Sequence, residues 1–187
     1  MGKRKQNLII VSILFVLLLG LLFLLISMPA PEKSDSAQEN TQTFENIINT
    51  TDKKIINVAV KNSQESYEIK SETREDKQIY VLSGLDESKT SQNNAGTLYD
   101  SIINLKPTQV IENIEDLANY GLSESSAQIV VTFEDDEKIT LLLGDDAPLS
   151  KGAYAKLEND SKIYLIEQTD KEVFLNEKSF YQEQEQN

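Results

Sequence analysis

The 187-residue chain has no cysteine, no histidine and no tryptophan, and only seven glycines and four prolines. Without Cys it can build neither a disulfide framework nor a lipid-modified N-terminal cysteine. Without His and Cys, Ser-His-Asp and Cys-His nucleophile systems are excluded, along with the common zinc sites, and most hydrolase chemistry goes with them. A carboxylate pair for glycoside hydrolysis stays formally open. The 31 Asp and Glu select no particular pair, however, and there is no Trp to stack a sugar. An enzyme is the least favoured reading, and no residue is assigned as catalytic, cofactor-binding or metal-ligating.

Basic side chains are also scarce. Three of the 18 Lys and Arg are Lys3, Arg4 and Lys5; the rest of the chain sets 15 against 31 Asp and Glu, a formal charge of −16. Such a balance argues against nucleic acid and anionic lipid as partners.

The basic tripeptide precedes an uncharged run whose centre, residues 8–28, is almost wholly apolar. Its length in a helix is about 30 Å, the thickness of a hydrocarbon core. The expectation is a single-pass membrane protein: residues 1–7 a cytoplasmic basic tail, residues 8–28 an uncleaved signal anchor, and the C-terminal part outside the cytoplasm. The rival is a cleaved signal peptide, which has a shorter apolar region and a small-x-small site; the nearest candidate, Met28-Pro29-Ala30, is followed by Pro31. Residues 29–54 have the polar composition of a flexible stalk, interrupted by the apolar patch Phe44, Ile47 and Ile48.

Residues 55–176 read as an extracytoplasmic α+β domain of antiparallel meanders and hairpins with a few short helices. Ile56, Val58 and Val60 alternate, as do Tyr67 and Ile69, and the run Ile79, Tyr80, Val81, Leu82 follows a charged turn. These predict three strands. A helix is expected over residues 94–105, with Leu98, Ile102 and Leu105 on one face, Tyr99 flanking it and Pro107 beyond it. Asn113 is the candidate cap of a second helix that starts at Ile114 and stops at Gly121, with Leu122 folding back on Leu117.

Two hairpins follow. Pairing Phe133 with Ile139, Val131 with Leu141 and Ile129 with Leu143 puts the apolar residues on one face and leaves Asp135, Asp136 and Glu137 as loop. The second hairpin pairs Leu157 with Ile163 and Ala155 with Leu165 around Asn159, Asp160 and Ser161. The segments F-E-D-D-E-K-I-T-L-L and L-E-N-D-S-K-I-Y-L-I are similar position by position. So are residues 79–82 and 163–166, each followed by a helix, which points to two related halves. Thr169 with Glu172 predicts a capping box for the last helix. Residues 177–187 are a polar tail in which Phe180 and Tyr181 could dock back.

The acidic stretch Glu134, Asp135, Asp136 and Glu137 and the pair Asp145 and Asp146 are candidate calcium ligands, although they lack EF-hand spacing. The bland reading is a solvated hairpin tip and a turn. Gly144-Asp145-Asp146 has neither the second glycine nor the Lys-Ser/Thr of a phosphate loop. Tyr67, Tyr80, Tyr154 and Tyr164 could line a groove, or simply pack.

The order D-L-x-x-Y-G-L (residues 116–122), an alternating strand, L-L-L-G-D (141–145), Y-A-K (154–156) and I-Y-L (163–165) resembles an uncharacterised bacterial domain family. The resemblance is good over residues 102–166. It implies a module anchored by one N-terminal transmembrane helix and related to auxiliary components of ABC-type transport systems, including those of gliding motility. It supplies no catalytic residue. Members often carry Gly in the turn where this chain has Asp136-Glu137. The function expected on these grounds is a non-catalytic interaction module, an accessory subunit of an ABC-type export or envelope complex with transporter subunits as partners. The alternative is an extracytoplasmic ligand- or cation-binding sensor.

Overall fold

The structure is a computed structural model that describes residues 44–123 and 127–184. The basic tail 1–7, the anchor 8–28, the stalk residues 29–43 and residues 185–187 lie outside the described residues. Among the described residues, no helix is long and apolar enough to cross a membrane.

Three strands form the first meander: β1 (Ile55–Lys61), β2 (Ser66–Arg74) and β3 (Lys77–Leu82). Between β2 and β3, Glu75 and Asp76 both take positive φ, 49° and 62°, the geometry of a two-residue type I′ link that matches strand twist. Helix α1 (Gln92–Ile103) follows, then the three-residue β4 (Gln109–Ile111). The second meander is β5 (Ala127–Phe133), β6 (Lys138–Asp146), β7 (Ala153–Leu157) and β8 (Ile163–Ile166), closed by helix α2 (Gln168–Phe174). All eight strands share one antiparallel sheet in the order β3-β2-β1-β5-β6-β7-β8-β4, and the two meanders join where β1 pairs with β5. The class is α+β, as expected.

One face of the sheet carries the core. Val58, Val60, Ile69, Ile129, Val131, Phe133 and Leu141 alternate inward along their strands and meet Leu98 and Ile102 of α1 and Phe174 of α2. Each fully buried aliphatic side chain contributes about 1.5–3 kcal/mol. Tyr99, expected at the flank of α1, is itself buried, at 3% exposure.

The folded unit reaches beyond Ile55 and Asn176. Ile47 and Ile48 are buried, Ile47 N donates to Leu105 O at 2.8 Å, and Asn46 Nδ2 donates to Ile103 O at 2.6 Å. The expected stalk is shorter at this end, because these two isoleucines fill the space beside the end of α1. At the other terminus Tyr181 is fully buried against Tyr67, with ring centroids 5.5 Å apart.

Several local expectations are corrected. In the β5–β6 hairpin Val131 faces Ile139 and Ile129 faces Leu141, a shift of two residues. Phe133 N donates to Glu137 O at 2.9 Å and Asp136 N to Phe133 O at 3.0 Å, so the loop is Glu134, Asp135 and Asp136. Asp136, at φ 64°, fills the left-handed third position, which Gly would adopt at less cost. The shift is even, so the apolar residues keep their face. In the β7–β8 hairpin Ala155 faces Tyr164 and Tyr154 faces Leu165, a shift of one. That shift turns Ile163 and Leu165 to the face away from the helices, where both are still buried.

The helix expected from Ile114 is a single 3-10 turn, Leu117–Tyr120, capped by Asp116, whose carboxylate accepts from Ala118 N at 2.9 Å. Asn113 is left-handed at φ 58°, a conformation that cannot serve as an N-cap. Helix α1 starts two residues earlier than expected, at Gln92. In α2, Thr169 lies inside the first turn behind Glu167, and no side chain caps that helix.

Candidate functional site

The residues that carry the family resemblance converge where the crossover between β4 and β5 returns to the sheet. Asp116 starts the 3-10 turn, and Gly121, at φ 64°, ends it, with Gly121 N donating to Ala118 O and Leu122 N to Leu117 O. Tyr120 packs edge-on against Tyr154 of β7, centroids 4.9 Å apart, on the sheet face opposite the helices. In β6 the pairing passes from Leu143 with Ala155 to Asp146 with Ala153, so Gly144 and Asp145 together face one residue of β7. This bulge pushes Gly144 against the crossover. A Cβ on Gly144 would overlap the Tyr120 carbonyl oxygen and touch Leu122 Cγ at 3.0 Å, and one on Gly121 would overlap the Asp145 carboxylate. Each glycine makes room for the other motif.

Lys171 of α2 completes this clasp. Its Nζ donates to Gly144 O and to Asp146 Oδ1, both at 2.8 Å, and the Lys171 hydrogen bond holds the Asp146 carboxyl below the usual carboxylate range. Lys156 of the Y-A-K segment is buried on the Tyr154 side of the sheet and donates to the carbonyls of Leu157 and Glu158 at 2.9 and 3.1 Å, tying down the β7–β8 turn. Tyr164 donates its hydroxyl to Asp160 in the same turn. That bond lowers the Asp160 carboxyl, while burial, then Asp160, pushes the Tyr164 hydroxyl up.

Beside the clasp lies an open cleft of about 360 Å³, lined by Asn62, Ser63, Leu143, Asp145, Lys171 and Leu175. A second, of about 340 Å³, lies near Lys53, Lys54, Ser71, Gln78, Tyr80 and Tyr99.

The two acidic groups are not brought together. They sit at opposite ends of the nine-residue β6, roughly 27 Å apart at strand rise. Lys53 pairs with Asp135 at 3.4 Å and also with Glu137, and Lys171 takes Asp146. The four tyrosines share no groove. Tyr154 is on the face opposite the helices; Tyr80 packs at a tilt against Tyr99 with centroids 4.8 Å apart, Tyr67 likewise against Tyr181, and Tyr164 bonds within its own hairpin.

Sequence reasoning missed Lys171, which lies 25 residues from Asp146, and the protection of the β3 edge. Gln92 accepts from Tyr80 N at 2.9 Å and donates to Tyr80 O at 2.8 Å, and Thr90 Oγ1 accepts from Leu82 N at 3.1 Å. The Gln92 amide stands in for a neighbouring strand.

The fold and the clasp thus define a small α+β domain built on a single antiparallel sheet whose distinguishing sequence motifs hold the chain together. The model of the Domain of unknown function (DUF4340) family matches residues 81–184, and the chain belongs to that family. The match opens inside β3 and leaves out β1 and β2, which complete the sheet. No curated protein and no solved structure matched the chain.

Proposed function

We propose that this chain is a membrane-anchored, extracytoplasmic, non-catalytic interaction module, an accessory subunit of an ABC-type export or envelope complex. The observation that carries the reading is where the motif side chains go. Asp116, Gly121, Gly144 and Lys156 are committed to backbone contacts inside the fold, and Lys171 locks α2 to β6. Residues committed in this way make a rigid platform, and a platform serves by what it presents. The apolar run 8–28 behind a basic cluster supports the anchor, and the resemblance to auxiliary transporter components supports the partner class. The contact falls on loops, the open sheet face or the short β4 edge, since Gln92 and Thr90 occupy the β3 edge.

The second reading, a ligand- or cation-binding sensor, is favoured by one observation: the cleft at Asp145 and Lys171 adjoins the clasp.

Mild-detergent purification of the full chain from its native cells separates the two. Transporter subunits should be recovered stoichiometrically, and removing residues 44–187 while keeping 1–43 should abolish that recovery. Recovery of the chain alone would favour the sensor, and recovery that survives the deletion would move the interface into the N-terminal segment.

A further inference from the structure

The loop 147–152 between β6 and β7 holds a leucine where neither backbone nor solvent favours one. Leu149 sits at φ 63°, ψ 29°, the left-handed region in which a Cβ crowds its own carbonyl and which Gly or Asn adopts at less cost. Its side chain is 88% exposed, against 43% for Phe180 and 36% for Leu117, the other large exposed apolar residues among those described.

The loop is tied at its base. Ala147 is buried and its N donates to Gly152 O at 2.7 Å, while Gly152, at φ 123°, lies so close to Ile166 O that a Cβ would not fit. Pro148 fixes the backbone just before the leucine. The apolar side chain is therefore held out, and packing within the fold repays neither its exposure nor its backbone conformation. A cost of both kinds at one residue points to a contact made outside the fold.

We propose that Leu149 is the anchor by which this domain holds a partner protein whose docking pocket is apolar and whose rim is basic; this rests on the interaction-module reading above. Charge selects the occupant. Residues 44–187 carry 14 Lys and Arg against 28 Asp and Glu, so a second copy or an anionic bilayer would meet like charge. At the loop itself Asp145 and Asp146 are offset by exposed Lys151 and by Lys171, which pairs with Asp146, so the selecting charge is that of the domain as a whole. A basic rim complements that charge, and an apolar pocket relieves the leucine.

The test places a photo-crosslinking residue at position 149 of the full chain in its native cells, with position 158 on the neighbouring hairpin as control. The expected product is one distinct protein with a basic surface, formed from 149 and not from 158. Its co-purification with the uncrosslinked chain should fall at least tenfold in Leu149→Asn and persist in Leu149→Met. Asparagine tolerates the left-handed conformation, so Leu149→Asn should also raise the Tm of the free protein, by about 2–4 °C. A lipid adduct, a crosslinked second copy, no product, or full recovery of the partner with Leu149→Asn would overturn the proposal. If the partner survives Leu149→Asn but is lost on deleting 44–187, the interaction-module reading stands and only the anchor falls; if it survives both, both fall.

Discussion

Tyr99 shows how a single polar group is accommodated in this core. Its ring packs at a tilt against Tyr80, its hydroxyl donates to Ile69 O at 2.6 Å, and burial pushes that hydroxyl well above its ordinary value of 10. Tyr67 and Tyr181 are raised for the same first reason, with hydroxyls on the carbonyls of Asn176 and Val173. A folded value above the unfolded one means the native state favours the neutral phenol. That stability is complete below pH 10 and is lost as pH rises from 10 toward the folded values. Urea midpoints should therefore change little from about pH 7 to 9 and fall steeply above pH 10. Tyr99→Phe should cost about 1 kcal/mol at pH 7, through the lost hydroxyl bond to the Ile69 carbonyl, and show a shallower alkaline fall. An alkaline limb identical to wild type would place the titration elsewhere. At this scale the sequence was partly legible. Gly121 announces a stop, but the cap expected at Asn113 is made by Asp116 three residues later, and nothing near Lys156 says that its ammonium will bend back onto turn carbonyls.

Among the elements, what could be read was face, and what could not was register. The β5–β6 pairing kept its inward residues through a shift of two because alternation fixes parity, while turn length depended on Asp136 taking a conformation usually left to Gly. In β8 both faces are buried, so Ile163 and Leu165 could be paired either way, and alternation gave no choice. Strand β4, at three residues, is too short to show a period. The β3 edge likewise depends on a helix residue twelve positions away. Gln92→Ala should cost about 1–2 kcal/mol in urea unfolding, since it frees both the N–H and the C=O of Tyr80. It should also add concentration-dependent association in light scattering as the edge opens to pairing. A variant as stable and as monodisperse as its parent would show that the side-chain pairing with Gln92 does not protect the edge.

For the molecule as a whole, a four-stranded meander, a crossover and a terminal helix are joined at one place, where Gly144 meets the Tyr120 carbonyl and Lys171 reaches both Gly144 and Asp146. The sequence showed the α+β class and most of the strands. It could not show that L-L-L-G-D and Y-G-L are two halves of one contact, because they come together only through a β-bulge and a crossover. That these motifs are structural is the central claim, and thermal unfolding of Gly144→Ala tests it most directly. One added methyl has no room beside a backbone oxygen, so the loss should be about 3 kcal/mol, a Tm lower by roughly 10 °C. An unchanged Tm would contradict the clasp and leave the cleft beside Asp145 as the better account of this region.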